Sequence, residues 1–167
     1  MAALRWAVPG LVVLGAVLLQ TTVVWQLTIF GIRPDLVLVV VAIYGLGSEG
    51  AGVALGLGAG LLEDLLTGRL LGLHALALGA AGLLSGALGR RMVRENLLVV
   101  MLAVFLAGAL EEGILGLVYE AVFRGRLPVD VLLHTAGLVA VYDMFLAIPV
   151  HGVFRCRRRP VRLGMRG

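Results

Sequence analysis

Residues that carry enzyme chemistry are scarce in this chain of 167 residues. It has one cysteine, Cys156, so no disulfide can form within the chain. Ser48 and Ser85 are the only serines, and neither stands in the G-x-S-x-G setting of serine hydrolases. The histidines lack the spacing of metal ligands, and there is no phosphate-binding P-loop. These absences predict a protein that is not an enzyme and uses no cofactor or metal.

Lysine is also absent, and charged residues make up only 14% of the chain, whereas hydrophobic residues make up 60%. The mean hydropathy is +1.05. A soluble domain rarely exceeds about half apolar residues, so we predict an integral membrane protein with one compact bundle. The 14 basic residues are all arginines at segment ends and in the tail, which leaves no basic groove for nucleic acid. The long first apolar run has no cleavage site and is expected to be retained.

Hydropathy divides the chain into six apolar segments, at about residues 6–29, 34–47, 50–66, 71–88, 96–119 and 129–153. Each is predicted to be a helix, because a membrane-embedded backbone must satisfy its own hydrogen bonds. The expected fold is therefore all-α: a polytopic bundle of six transmembrane helices over residues 1–154, followed by a basic tail at 155–167. The second segment would cover only about 21 Å, less than the roughly 30 Å hydrocarbon core. Residues 45–50 must therefore turn the chain into the third segment.

The arginines favour one orientation of this bundle. With the N-terminus inside, ten arginines lie on the inner side and four on the outer side, namely Arg33, Arg69, Arg124 and Arg126. The positive-inside rule then predicts that both termini are cytoplasmic. The tail is expected to lie against anionic lipid headgroups, and Cys156 within it is predicted to be a free thiol.

Glycines recur at helical spacing in the third and fourth segments. Within each segment they stand three or four residues apart and so share one helix face; they are Gly52, Gly56, Gly60, Gly79, Gly82, Gly86 and Gly89. Small residues let membrane helices approach closely. Packing of the two segments against each other is the main interpretation, and docking of a partner's membrane helix is the alternative.

Ionisable residues gather in the predicted outer half of the bundle: Glu63, Asp64, His74, Glu111, Glu112, Glu120, Asp130 and His134. Such groups are costly in a membrane and by default suggest function. One interpretation is an outward-open pocket for a small ligand, with Glu111, Glu112 and His134 as candidates. Another is a docking surface for periplasmic or membrane partners. A third is that helix ends simply reach the headgroups, with Glu63 or Asp64 paired to Arg69.

Three further polar positions have more than one interpretation. Glu111 and Glu112 are adjacent and point about 100° apart on a helix, so both cannot face one site. Asp143 lies near the middle of the sixth segment. It is either a proton or cation site, or it is hydrogen-bonded inside the bundle to Gln20 or Tyr44. Gln20 itself should face another helix rather than lipid.

The order of these elements is specific. Gln20 ends the first segment, RPDLVLVVVAIYGL follows, and a glycine-rich run leads to GLLEDLLTGRLLGLHAL. This pattern over residues 20–90 resembles the rod shape-determining protein MreD family of bacterial inner-membrane proteins. The elements that match are Arg33, Pro34, Asp35, Asp64, Gly68 and Gly72. The doubled acid Glu63-Asp64 departs from the pattern, and we expect Asp64 to matter more than Glu63.

The resemblance implies a non-enzymatic component of the cell-elongation machinery. Such proteins associate with MreC and, through it, with the MreB cytoskeleton and with RodA and its class B penicillin-binding partner. The family is also similar in fold to the S components of energy-coupling-factor transporters, so the alternative function is a substrate-binding membrane subunit. The candidate partner-binding residues are the six matching positions together with Gly52, Gly56, Gly60, Gly79, Gly82 and Gly86.

Overall fold

The computed structural model describes residues 2–22, 34–68, 70–92, 96–123 and 129–158. Within these ranges the chain is all-helical, as predicted, with no strand. The helices are α1 (Ala2–Thr22), α2 (Leu36–Gly47), α3 (Glu49–Thr67), α4 (Leu73–Arg91), α5 (Leu97–Phe123) and α6 (Val129–Arg158). The predicted end of the first segment and residues 159–167 of the tail lie outside the described residues. Helix α6 continues to Arg158, so the helix enters the segment that was predicted to be tail.

Four helices are long and apolar enough to cross a membrane, judged by length and composition. These stretches are Glu49–Thr67, Leu73–Arg91, Leu97–Val122 and His134–Phe154. Two shorter apolar helical stretches, Trp6–Thr22 and Leu36–Gly47, belong to α1 and α2. The chain is therefore a membrane protein built from apolar helices.

Helix α2 is the centre of the bundle. It packs against each of the other five helices, and nine of its 12 residues are buried. Its run of aliphatic side chains, Val37–Ile43, forms the middle of the hydrophobic core. A helix of this length covers only about 18 Å, less than the roughly 30 Å hydrocarbon core, so the N–H groups at its start need hydrogen-bond partners within the bundle.

The chain reverses at a single residue between α2 and α3. Ser48 has extended backbone angles (φ −161°, ψ 122°), and its N–H donates to the carbonyl of Tyr44. The break falls inside the predicted turn at residues 45–50. The hairpin expected from the shortness of the second segment is thus present, and α2 packs along α3.

Helices α3 and α4 form the closest packing in the molecule, through their glycines. A Cβ at Gly56 would overlap the carbonyl of Leu78, and one at Gly82 would overlap the carbonyl of Gly52. A Cβ at Gly86 would lie 2.5 Å from the Cα of Glu49. These glycines allow backbone to touch backbone, which supports the interpretation as internal packing.

The hairpin of α3 and α4 is also fixed at the end where α3 begins. Glu49, in the first turn of α3, forms an ion pair with Arg90 in the last turn of α4. A carboxylate at a helix N-terminus and a cation at a C-terminus also complement the two helix dipoles. Since half-exposed ion pairs contribute little to stability, the glycine contact dominates this pairing.

Candidate functional site: a buried polar cluster at the start of α2

The first residue before α2, Asp35, caps that helix with its own side chain. Its backbone is extended (φ −100°, ψ 95°), and its Oδ1 accepts a 2.8 Å hydrogen bond from the N–H of Leu38. The first N–H groups of a helix have no partner within the helix, and an Asp at this position supplies one. Helix α2 therefore begins at Leu36, two residues after the start of the predicted second segment at residue 34.

Two other helices supply acceptors to the same helix end. Oε1 of Gln20, near the end of α1, accepts a 3.0 Å hydrogen bond from the N–H of Val37. Oδ1 of Asp143, in α6, accepts a 2.7 Å hydrogen bond from the N–H of Asp35. An unsatisfied N–H inside a membrane costs several kcal/mol. The start of α2 is thus held by side chains from α1 and α6 as well as by its own cap.

Gln20 and Asp143 answer two of the predictions. Gln20 faces another helix, as expected. Asp143 is fully buried and hydrogen-bonded inside the bundle, but the partner shown is the backbone of Asp35, rather than Gln20 or Tyr44 as suggested. Sequence alone gave no signal for this pairing, because it joins residues 108 positions apart.

Asp64 closes the turn between α3 and α4. Its Oδ2 accepts a 2.7 Å hydrogen bond from the N–H of Gly72, and its Oδ1 lies 2.7 Å from Nδ1 of His74 and 3.3 Å from the backbone N of His74. Asp64 is 1% exposed and His74 is 9% exposed. One carboxylate therefore caps α4 and fixes the imidazole. Arg69, the partner considered for this acid, lies outside the described residues.

Two glycines shape this turn. Gly68 ends α3 with a left-handed backbone (φ 63°), and Gly72 precedes α4 with φ 92°. Residues with a Cβ avoid this region. The match at Asp64, Gly68 and Gly72 thus has a physical reason: the glycines bend the chain so that the carboxylate reaches the new helix start. The sequence pattern did not lead us to include His74 in this motif. The feature that could have indicated it is its position two residues after Gly72.

Glu111 in α5 completes the group that we call the polar cluster: Gln20, Asp35, Asp64, His74, Glu111 and Asp143. Glu111 is 3% exposed, and its neighbour Glu112 is half-buried. Asp35, Glu63 and Asp143 act electrostatically on Glu111, and His74 acts on Asp35. The polar cluster therefore takes one side chain from each of α1, α3, α4, α5 and α6, and one from Asp35, the residue that caps α2.

The other candidate residues lie in different places. His134 is exposed, so it differs in environment from the buried Glu111 with which it was grouped as a possible pocket. The seam glycines Gly52, Gly56, Gly60, Gly79, Gly82 and Gly86 are buried and face the chain's own helices. Pro34 precedes the cap, and Arg33 lies outside the described residues.

The chemistry of the polar cluster is mostly that of helix capping. Asp35, Asp64 and Asp143 each accept hydrogen bonds from backbone N–H groups at the start of a helix. In the part of the chain that the structure describes, no three His, Cys, Asp or Glu side chains are arranged to hold a metal ion. Asp64, His74, Glu111 and Asp143 of this cluster are buried, and the clearest effect of the cluster is to fix how the helices meet.

Comparison with known proteins identifies one family. The family described as rod shape-determining protein MreD matches the chain over residues 2–154, which includes α1 to α5 and most of α6. No curated protein and no solved structure matches the chain.

Proposed function

The chain belongs to the MreD family of rod shape-determining proteins, and from this membership we propose that it is a non-enzymatic scaffold of the cell-elongation machinery. In this role it binds MreC and helps to organise RodA and its class B penicillin-binding partner, with MreB reached indirectly. The observation that carries the proposal is the extent of the match, over residues 2–154. Family membership itself gives the chain a role in rod shape determination.

We also propose that all six helices cross the bacterial cytoplasmic membrane, with both termini in the cytoplasm. The distribution of arginines, ten against four, supports this orientation. In it, the polar cluster lies toward the outer side and the ion pair of Glu49 with Arg90 toward the inner side. The similarity in fold to transporter S components is part of the same proposal.

The use of the buried acids supports a scaffold over a ligand-binding subunit. Asp35 and Asp64, the two acids that match the family pattern, form hydrogen bonds with the backbone at helix starts. A carboxylate that already accepts such bonds has less capacity left for a ligand. The matching residues therefore suit a protein whose function depends on a fixed shape.

The outward face of the α3–α4 hairpin is our proposed docking surface for MreC. The glycine contact makes this hairpin rigid, and its outer face carries exposed leucines: Leu57, Leu61, Leu65, Leu76 and Leu83. Gly58 lies among them, with nothing within 4 Å of an added Cβ. A small residue on an exposed membrane-facing stripe permits close approach of another helix.

Co-purification of this chain with tagged MreC tests the docking surface. Gly58→Leu adds bulk to the hairpin face, and Gly113→Leu adds the same bulk on α5, where an added Cβ also meets nothing within 4 Å. We expect Gly58→Leu to reduce recovery of MreC and Gly113→Leu to leave it unchanged. Equal recovery of MreC with both variants would show that the docking surface lies elsewhere on the bundle.

A second candidate function is a substrate-binding subunit of a small-molecule transporter. One observation favours it: Glu111 and Asp143 each keep a buried carboxyl oxygen without a hydrogen-bond partner among the described residues. A transporter subunit would be recovered from membranes with an ATPase pair and a coupling membrane protein. A scaffold would be recovered with MreC and RodA.

A further inference from the structure

Two buried carboxyl oxygens, on α5 and α6, have no hydrogen-bond partner among the described residues. They are Oε1 of Glu111 and Oδ2 of Asp143. The residues are 3% and 0% exposed. A buried polar atom without a partner costs about 1–3 kcal/mol, and the cost is larger for an ionised group. A stable bundle therefore needs something at this place that compensates for both oxygens.

The two carboxyl groups face the same stretch of α5. Oδ2 of Asp143 is 3.5 Å from the position that a Cβ on Gly108 would take, so this oxygen lies against α5. Glu111 follows Gly108 by three residues, which places both on one face of the helix. Asp143 also acts on Glu111 electrostatically. Glu111 and Oδ2 of Asp143 thus lie on the same face of α5.

The helices around this site contribute mainly negative charge. Asp35 at the start of α2, Glu63 on α3 and Glu112 on α5 all act on Glu111. From α4, His74 acts on Asp35 but is itself bound to Asp64.

The ion pairs of His74 with Asp64 and of Arg90 with Glu49 involve neither Glu111 nor Asp143. Two carboxylates that share a low-dielectric site repel each other strongly, so both cannot easily be ionised together. A proton bound at this site would remove that repulsion.

We propose that Glu111 and Asp143 share a bound proton inside the bundle. The proton removes one negative charge and gives one carboxyl group a donor that can be directed to the other. A metal ion suits the site less well, because no three ligating side chains converge in the described part of the chain. The inference does not depend on which partner the protein binds.

The site is connected to the centre of the fold through Asp143. Its Oδ1 accepts the N–H of Asp35, while its Oδ2 faces Gly108 and the proton site. A change in charge at Oδ2 of Asp143 changes the strength of the hydrogen bond that Oδ1 accepts from the N–H of Asp35. Proton binding is thereby coupled to the hydrogen bond that fixes the start of α2.

Infrared spectroscopy of the purified protein in lipid nanodiscs tests the proposal. A protonated carboxylic acid has a carbonyl stretch that is separate from the bands of carboxylates. We expect the wild-type protein to show this band at neutral pH in sodium-free buffer, and to keep it when sodium ions are added. Absence of the band at neutral pH, or its loss on adding sodium, would overturn the assignment of a proton.

Three variants locate the proton. Glu111→Gln and Asp143→Asn should each remove or shift the band, because each takes away one of the two carboxyl groups that share the proton. Glu120→Gln, the same change further along α5, should leave the band in place. Persistence of the band in both Glu111→Gln and Asp143→Asn would contradict the proposal. If one of these variants fails to fold, the other, compared with Glu120→Gln, still decides whether the band belongs to this pair.

Discussion

The carboxylate of Asp143 in α6 accepts a 2.7 Å hydrogen bond from the backbone N–H of Asp35, 108 residues earlier in the chain. This contact connects the sixth helix to the residue that caps the start of the central helix. Gln20 makes the equivalent contact from α1, to Val37. The N–H groups at the start of this short buried helix, which have no partner within the helix, thus donate to side chains of α1 and α6.

Replacing Gln20 with Leu should destabilise the bundle by about 1–3 kcal/mol, because the N–H of Val37 would be left buried without an acceptor. Thr22→Val is a suitable control. Thr22 is exposed, and its hydroxyl donates to the carbonyl of Leu18 in its own helix. Thermal unfolding in detergent, followed by circular dichroism, measures both. A Gln20→Leu protein as stable as the control would show that this contact is dispensable.

Asp64 should be more sensitive to substitution than its neighbour Glu63. Asp64→Asn replaces one acceptor oxygen by an NH₂ group, which would then face the N–H of Gly72 or the ring of His74. We expect a loss of about 1–3 kcal/mol in stability and impaired rescue of cell shape in a strain that lacks the protein. Glu63→Gln should rescue shape. Full rescue of cell shape by both variants would show that the carboxylate of Asp64 is not needed for function.

The glycine contact between α3 and α4 predicts opposite outcomes for two glycines on the same helix. An alanine at Gly56 would press its methyl group into the carbonyl of Leu78, whereas an alanine at Gly58 would meet nothing within 4 Å. Overpacking of this kind costs about 1–3 kcal/mol. We expect the melting temperature to fall for Gly56→Ala and to stay unchanged for Gly58→Ala. Similar melting temperatures would mean that the helices can separate at little cost.

The turn between α3 and α4 should depend on glycine at two positions. Gly68 and Gly72 have positive φ angles of 63° and 92°, which cost a residue with a Cβ about 1–2 kcal/mol. Gly68→Ala and Gly72→Ala should therefore lower stability, although an added Cβ at either position meets nothing within 4 Å. Gly113→Ala, also in open space but within a helix, is the control. Unfolding by denaturant measures the stability of all three variants, and only Gly68→Ala and Gly72→Ala should show a loss, because Gly113 lies within a helix.

Much of the fold could be predicted from the sequence because hydropathy and glycine act locally. The third segment was expected at residues 50–66 and is Glu49–Thr67, and the fifth was expected at 96–119 and is Leu97–Phe123. The turn expected at residues 45–50 is at Ser48. The spacing of Gly56 and Gly82 correctly indicated closely packed helices, since small residues on one face serve that purpose.

The polar contacts could not be predicted in the same way. The pairing of Gln20 with Val37 and of Asp143 with Asp35 depends on how three helices are placed relative to one another, which no local pattern records. The pairing of Asp64 with His74 was missed because Arg69 offered a simpler partner for the acid in the sequence. Asp64 and Asp143 were both singled out as acids in predicted membrane segments, but their bonds to helix starts became evident only from the backbone N–H groups from which they accept.

Isolation of the tagged protein from its native membranes in a mild detergent, with mass spectrometry of the proteins that accompany it, tests the central proposal most directly. An untagged strain and an unrelated tagged membrane protein serve as controls. A scaffold of the elongation machinery predicts enrichment of MreC and RodA over both controls. Enrichment of an ATPase pair with a coupling membrane subunit, and no MreC or RodA, would contradict it.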